Sequence, residues 1–147
     1  MILLPPDLKE FLRLLHSNGA EYLLVGGYAV GYYGYPRATG DMDVWIARSE
    51  ANAKNVTAAL KAFGFGDSSV SPELFITPNR VFRMGNPPLR IELLTDISGV
   101  EFAECWEKRV IFVADGISIN IINLDDLKQN KLASGRIKDK NDIANLP

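Results

Sequence analysis

The sequence predicts one mixed α+β domain that spans residues 1–147. Segments with helical periodicity alternate along the chain with short apolar runs of strand length, and glycine or proline separates most of them. Hydrophobic residues make up 47% of the 147 residues and charged residues 23%, which is typical of one globular domain and excludes disorder. No repeat or low-complexity tract interrupts the pattern, so we expect a single hydrophobic core.

Three helices and two strands are predicted in the first half of the chain. Apolar residues recur at helical spacing downstream of Pro5-Pro6, and polar and apolar residues alternate as in a strand from Asp41 onwards. Ser49 is a suitable N-cap for the third helix, and Gly64 ends it. In order, the predicted elements are a helix over Asp7–Ser17, a strand over Tyr22–Val25, a short helix over Tyr28–Tyr33, a strand over Asp41–Ala47 and a helix up to Phe63.

The second half of the chain begins with a predicted loop and continues with four strands and further helices. The segment Ser68–Asn79 contains two prolines and no periodicity, which indicates the loop. Ala114-Asp115-Gly116 is typical of a hairpin turn, and Asn123 is a suitable helix cap. The elements predicted after the loop are strands over Val81–Met84, Leu89–Thr95, Val110–Val113 and Ile117–Ile122, a helical turn over Phe102–Trp106, and helices over Leu124–Ala133 and Lys138–Leu146.

Composition narrows the chemistry that this chain can perform. One cysteine, Cys105, excludes a disulfide framework and a cysteine-based zinc site, and one histidine, His16, argues against a Ser-His-Asp triad. The net charge of −2 argues against broad adhesion to nucleic acid. The single cysteine fits a reducing cytoplasm, and because no apolar run approaches the ~18 residues of a membrane helix, we expect no membrane partner. Carboxylates remain as the groups for chemistry.

Asp41 and Asp43 form the sharpest motif of the sequence. Alternate residues of a strand lie on one face about 6.7 Å apart, so these two carboxylates could bind divalent cations together. The intervening apolar residues, Met42 and Val44, would anchor the opposite face on helices. An Asp-x-Asp at a strand start also serves as a turn or cap, so the motif alone leaves that structural explanation open.

Gly26-Gly27 ends a predicted strand and begins a predicted helix. At such a junction, backbone N–H groups and the positive helix end can meet a triphosphate, and glycine offers no side chain to obstruct it. A strand-to-helix turn that needs a positive φ explains the same pair. The glycine pair therefore indicates a phosphate-binding turn only in combination with the acids that follow it.

Glu92 supplies a third candidate carboxylate. It lies between apolar residues on a predicted buried strand, where an unpaired carboxylate is costly. An ion pair with Arg83 or Arg37 is the alternative explanation. Asp96 competes for the same role, but it falls in the turn after the strand, so Glu92 is the preferred residue.

Together these motifs resemble the DNA polymerase β-type nucleotidyltransferase superfamily. The chain is most similar to its small, single-domain bacterial and archaeal members, including those related to the toxins of abortive-infection toxin–antitoxin pairs. The resemblance covers roughly Glu21 to Asp142. It is carried by the segments Tyr22–Val30, Gly34–Val44, Ile91–Leu94 and Asn130–Asp139.

The resemblance implies a nucleotidyltransferase fold, in which a short mixed β-sheet packs helices on one face and exposes the carboxylates on the open face. It also implies that an acceptor hydroxyl attacks the α-phosphate of a nucleoside triphosphate and that pyrophosphate leaves. Asp41 and Asp43 would hold two Mg²⁺ (or Mn²⁺) ions, and Glu92 would bind the ion that activates the hydroxyl. Gly26 and Gly27 would cradle the β- and γ-phosphates.

Three further residues would assist in nucleotide binding. Arg37 and Thr39 match the pattern of the superfamily and would orient phosphate, although a surface ion pair explains Arg37 equally well. Lys131, with Arg136 nearby, could neutralise phosphate. A solvated helix face explains the same lysine, and neighbouring acids such as Asp139 would dilute the positive patch.

Aromatic residues near the motifs admit two interpretations. Tyr28 and Tyr32 share a helix face and could stack on a base, but core packing is the preferred explanation. Trp45 shares the face of the acids, where it could cover either a base or the exposed sheet.

The leading prediction is a Mg²⁺-dependent nucleotidyltransferase, toxin-like in type, with tRNA, a protein or a small molecule as acceptor and a small helical antitoxin as partner. The alternative is a catalytically weak or inactive nucleotidyltransferase-like module that binds or regulates a partner. Many relatives place an aspartate at the position of Glu92 and Gly-Ser at the position of Gly26-Gly27, which favours this alternative. A sugar-nucleotide glycosyltransferase ranks last, because such domains generally need a longer chain.

Overall fold

A computed structural model describes residues 4–66 and 69–147 as a mixed six-stranded sheet with six α-helices. The fold is α+β, as predicted, and its elements alternate along the chain. Their bounds are α1 Pro6–Ser17, β1 Tyr22–Val25, α2 Gly26–Tyr32, β2 Asp41–Ile46, α3 Glu50–Ala62, β3 Val81–Met84, β4 Arg90–Leu94, α4 Phe102–Glu107, β5 Val110–Ala114, β6 Ile117–Ile121, α5 Leu124–Ser134 and α6 Ile137–Asn145.

The strands are arranged in the order β3-β4-β2-β1-β6-β5. β2 pairs with β4 and β1 with β6 in parallel, whereas β1–β2, β3–β4 and β5–β6 are antiparallel. The parallel pairing of β2 with β4 joins strands that are separated in sequence by α3 and β3. It brings the two acid-bearing strands side by side in the interior of the sheet.

One face of the sheet carries the main hydrophobic core. Tyr22 and Leu24 of β1 lie opposite Ile46 and Val44 of β2, and all four residues are fully buried. α1 packs against α3 and β6, and its buried stripe joins the same cluster. Burial of these side chains supplies most of the driving force for folding.

The opposite face carries Asp41, Asp43 and Trp45, because alternate residues of a strand share a face. Trp45 is buried under Phe102 of α4, with the ring centroids 5.1 Å apart. The expectation that helices pack on one face only is therefore wrong at α4, and Trp45 covers neither a base nor an exposed sheet. The contact with α4 removes the large apolar ring of Trp45 from water, which favours folding.

Two segments differ from the sequence-based prediction. α2 begins at Gly26 rather than Tyr28, so the glycine pair forms its first turn. The predicted loop contains a 3₁₀-helix over Pro72–Phe75, which buries Phe75 against α3; Ser68 lies outside the described residues. The apolar residues of this segment, Val70 and Leu74 to Ile76, have neither helical nor strand spacing, so this helix could not be recognised.

Both predicted helix caps are confirmed. The Ser49 hydroxyl accepts a hydrogen bond from the Asn52 amide at 3.1 Å, and the Asn123 side chain accepts one from the Asp126 amide at 2.9 Å. In the described ranges, no helix is both long and apolar enough to cross a membrane.

Candidate functional site

One cavity collects the residues that the sequence singles out. It has a volume of about 470 Å³ and lies where β2 and β4 meet the first turn of α2 and the junction of α5 with α6. All eight predicted site residues line it, namely Gly26, Gly27, Arg37, Thr39, Asp41, Asp43, Glu92 and Lys131. Residues 26 and 131 come from distant parts of the chain, so only the tertiary fold brings this set together.

Asp43 and Glu92 are direct neighbours in the parallel pair of β2 and β4. Burial raises the pKa of Asp43 to about 7, and the adjacent charge of Glu92 and a hydrogen bond with it act in the same direction. The buried Oδ1 atom of Asp43 has no hydrogen-bond partner in the described part of the protein. An unpartnered carboxylate oxygen beside a second carboxylate is a suitable ligand set for a divalent cation.

Asp41 and Glu92 are instead paired with arginines. Arg90 donates from Nε to Oδ1 of Asp41 at 2.5 Å and from Nη2 to Oδ2 at 3.1 Å. Arg83 donates from Nε to Oε1 of Glu92 at 2.9 Å, which confirms the ion pair considered from the sequence. As they stand in the described residues, no three carboxylate, imidazole or thiol side chains are gathered closely enough to hold a metal ion. Two of the three candidate carboxylates are therefore already paired with arginines.

The first glycine of α2 makes room for Asp43. Gly26 has a φ of +66°, and a Cβ atom at this position would lie 2.2 Å from Oδ2 of Asp43. Any larger residue would meet both the backbone strain of a positive φ and a steric clash with the carboxylate. The glycine is thus required by the turn and by the close approach of Asp43.

The second glycine makes room for Thr39. A Cβ atom on Gly27 would lie 2.9 Å from Oγ1 of Thr39. That hydroxyl donates to the backbone carbonyl of Asp41 at 2.9 Å and so ties the preceding loop to the start of β2. Thr39 therefore fixes where the acid-bearing strand begins.

Lys131 lies on the inward side of α5 rather than on a solvated face. Its side chain is 4% exposed, and its Nζ lies 3.2 Å from Oδ1 of Asp139 and 3.1 Å from Oδ2 of Asp142. Both aspartates are fully buried. The idea that Asp139 dilutes an exposed basic patch is wrong, because Asp139 neutralises the buried charge of Lys131.

Two arginines complete this network. Arg37 donates from Nε and Nη2 to the two carboxylate oxygens of Asp142 at 2.7 and 2.8 Å. Arg136 donates from Nε to Asp139 at 2.7 Å. Burial alone would raise the pKa of Asp142, but hydrogen bonds from Arg37 and Lys131 outweigh it and hold the pKa below its ordinary value. The pKa of Asp139 is lowered in the same way by Arg136 and Lys131.

Asp139, Asp142 and Arg90 were not recognised from the sequence as partners of the site residues. The two aspartates are three residues apart, so a helix places them on one face, and this spacing is visible in the sequence. Arg90 is two residues before Glu92 and shares its face of β4. Their partners could not be read from the sequence, because each pair joins segments that are distant along the chain.

The remaining candidates have structural environments. Tyr32 stacks on Phe112 with ring centroids 4.6 Å apart, which confirms packing as its explanation. Asp96 accepts a hydrogen bond from the backbone amide of Asn79 at 2.8 Å and forms an ion pair with Arg48. Asp96 thus closes a turn at the edge of the cavity.

A mixed α+β sheet with acids on its central strands is compatible with the architecture of nucleotidyltransferases. The chain belongs to the family described as "Nucleotidyltransferase of unknown function (DUF6036)", whose model matches residues 6–146. This match supports a nucleotidyltransferase superfamily. No curated protein matches the chain at a significant level.

Proposed function

We propose that this protein is a Mg²⁺-dependent nucleotidyltransferase that transfers a nucleoside monophosphate from a nucleoside triphosphate to a hydroxyl acceptor and releases pyrophosphate. The observation that carries the proposal is the position of Asp43. Its unpartnered Oδ1 lies beside Glu92 in a cavity whose other wall is formed by cationic side chains. The family assignment supports the same class of reaction.

Asp41, Asp43 and Glu92 are the residues that would hold two divalent cations, Mg²⁺ or Mn²⁺. When bound, these ions would neutralise the phosphates and lower the pKa of the acceptor hydroxyl. Glu92 borders the side of the cavity that faces β3 and would help to accept the proton of that hydroxyl. Asp43, on the neighbouring strand β2, would connect the metal-binding side of the cavity with the phosphate-binding side.

The opposite wall would bind the phosphates. Lys131, Arg37 and Arg136 all line the cavity, and their network with Asp139 and Asp142 contains one more cation than anion. The first turn of α2 adds backbone N–H groups at Gly26 and Gly27. Because ion pairs already fix these cations, little ordering would be required when a triphosphate arrives.

The resemblance to toxins of abortive-infection systems supports a more specific version of the proposal. In that version the acceptor is tRNA or a protein, and a small helical antitoxin binds the enzyme in the cytoplasm. Co-expression with neighbouring genes and analysis of what co-purifies would test the partner. A monomer that purifies alone and does not arrest growth would contradict the toxin role.

A second candidate function is a nucleotide-binding or regulatory module without turnover. The observation that favours it is the pairing of Asp41 with Arg90 and of Glu92 with Arg83, which leaves only one of the three acids without a cation partner. The two candidates differ in turnover, not in nucleotide binding.

Transfer of label from α-³²P triphosphates separates them. We expect wild-type protein with Mg²⁺ to label an RNA or protein fraction of a cell extract and to release pyrophosphate. Asp43→Asn should reduce this by at least about 100-fold, since the site would lose a charged metal ligand. The matched control is Asp125→Asn, which makes the same chemical change at an exposed position. Equal labelling by Asp43→Asn and wild type would contradict the proposed enzyme.

A further inference from the structure

Arg90 forms a two-point contact with one of the proposed metal ligands. Its Nε and Nη2 atoms reach different oxygens of Asp41, at 2.5 and 3.1 Å. The contact follows from the fold, because Arg90 and Asp41 are partners in the parallel register of β4 and β2. A fork of two parallel hydrogen bonds is the strongest geometry in which a guanidinium binds a carboxylate.

The same guanidinium also lies near a second ligand. Nη2 of Arg90 is 3.8 Å from Oε1 of Glu92, which places its charge between the carboxylates of Asp41 and Glu92. A divalent cation shared by these acids would need direct contact with their oxygens, at about 2.0–2.2 Å for Mg²⁺ or Mn²⁺. A guanidinium and a divalent cation in such proximity repel each other, so both cannot hold Asp41 in the same way.

The side chain of Arg90 is free to leave. It is 33% exposed, and its recorded ion-pair partners are the two acids themselves. Arg83, the partner of Glu92, is more exposed still at 57%. Release of these arginines would therefore break ion pairs at the surface without opening the hydrophobic core.

We propose that Arg90 is an internal counter-cation that competes with divalent metal for Asp41, so that metal loads fully only together with a triphosphate. The anionic oxygens of the triphosphate would give the released guanidinium a new partner. This inference rests on the proposed function, because it takes Asp41 as a metal ligand. It makes Arg90 a positioning residue that sets the order of loading.

An opposite role for Arg90 makes the opposite prediction. If the arginine merely holds Asp41 in a metal-binding orientation, its removal should weaken metal binding. If it competes, its removal should strengthen metal binding in the absence of nucleotide. The sign of the change therefore decides between the two roles, and activity need not be measured.

Binding of Mn²⁺, followed by the electron paramagnetic resonance signal of the free ion, tests the inference on the full chain. Wild type, Arg90→Gln and Arg90→Lys are titrated with and without a non-hydrolysable triphosphate analogue. Without the analogue, we expect Arg90→Gln to bind Mn²⁺ about 10-fold more tightly than wild type, the scale of a charge-assisted hydrogen bond. With the analogue, the gain in Mn²⁺ affinity should be larger for wild type than for the variant.

Arg13→Gln is the matched control, because Arg13 pairs with Glu10 on the exposed surface of α1 and should bind Mn²⁺ as wild type does. Arg90→Lys keeps the charge but loses the fork, so we expect a gain of about 2–3-fold; it also serves if Arg90→Gln does not fold. Unchanged or weaker Mn²⁺ binding by both Arg90 variants would overturn the inference. If triphosphate still promotes Mn²⁺ binding in those samples, the proposed function stands. Absence of Mn²⁺ binding in every sample would overturn both.

Discussion

Two groups of aspartates at the candidate site are in opposite electrostatic states. On the sheet, Asp43 has an unpartnered oxygen, and burial together with Glu92 raises its pKa to about 7. On α6, Asp139 and Asp142 are also buried, yet their pKa values are lowered. The pKa of an aspartate is thus raised on the sheet side of the cavity and lowered on α6, which holds the cations of the opposite side.

Contact with cations explains the difference. Asp139 and Asp142 receive hydrogen bonds from Lys131, Arg37 and Arg136, so the cost of burying their charge is offset. The nearest acidic neighbours of Asp43 raise its pKa, and Lys131 opposes them only weakly. The charges of the α6 acids are therefore balanced by cations, whereas Asp43 has a carboxylate oxygen without a partner in the described part of the chain.

The largest expected effect on stability comes from breaking the ion-pair network that Asp139 and Asp142 form with Lys131 and the two arginines. Asp142→Asn would leave Lys131 and Arg37 without their shared carboxylate in a buried position. We expect a loss of about 3–5 kcal/mol in the free energy of unfolding, measured by urea denaturation. Asp125→Asn, at an exposed position, should change stability by less than about 0.5 kcal/mol. A loss below about 1 kcal/mol in Asp142→Asn would show that the network is not a structural support.

The next largest effect is expected when the space beside the Asp43 carboxylate is filled. Gly26→Ala introduces a Cβ atom 2.2 Å from the carboxylate at a φ of +66°, so we expect a loss of about 2–4 kcal/mol in the free energy of unfolding. Gly135→Ala is a close control, because its φ is +67° and its nearest neighbour would be 3.7 Å away. The control should lose only about 1–2 kcal/mol. Equal losses would mean that Asp43 moves aside without cost.

A smaller effect of opposite sign is expected for Asp43 itself. Its folded-state pKa of about 7 lies above the unfolded value near 3.9, so wild type loses stability as pH rises between these values. Asp43→Asn removes this loss and should be more stable by about 2 kcal/mol at pH 7.5 in EDTA, with little advantage at pH 4.

Thermal melts of Asp43→Asn and wild type across this pH range provide the measurement. Millimolar Mg²⁺ should then stabilise wild type by RT ln(1 + [L]/Kd) and the variant clearly less. A variant that is less stable than wild type in EDTA, together with an equal response to Mg²⁺, would remove Asp43 from any metal site.

The smallest effect concerns the outermost cation of the network. Arg136 is 57% exposed, and Asp139 keeps its contact with Lys131 when this arginine is absent. We expect Arg136→Gln to lower the free energy of unfolding by only about 0.5 kcal/mol, since solvent screens the pair. A loss as large as that of Asp142→Asn would mean that charge number, rather than burial, controls the network. Urea denaturation of both variants under one condition gives the comparison.

Local signals made most of the fold predictable. The helix caps at Ser49 and Asn123, the alternation from Asp41 onwards and the glycine pair each depend on neighbours within four residues. Eight of the residues that line the cavity were named from motifs of the same short range and from the resemblance that these motifs carry. Their role as a functional site stays a prediction.

The ion pairs were not predictable, because their partners are far apart in sequence. Arg37 and Asp142 are separated by 105 residues, and Arg90 and Asp41 by 49. Only the parallel pairing of β2 with β4 and the packing of α6 decide these contacts. Because such contacts cannot be read from the sequence, Lys131 was considered as an exposed residue, although two buried acids balance its charge.

The ion pair between Arg37 and Asp142 can form only late in protein synthesis, because its two residues are far apart in the chain. At about 5–20 residues per second, the ribosome needs roughly 5–20 s to proceed from Arg37 to its partner 105 residues later. During that interval the acid-bearing strand β2 is already made, while the helix that fixes the cations is still absent. The nascent chain therefore carries Asp41 and Asp43 well before the helix that fixes the cations, and under the proposed function nucleotide binding would begin only when α6 has emerged and docked.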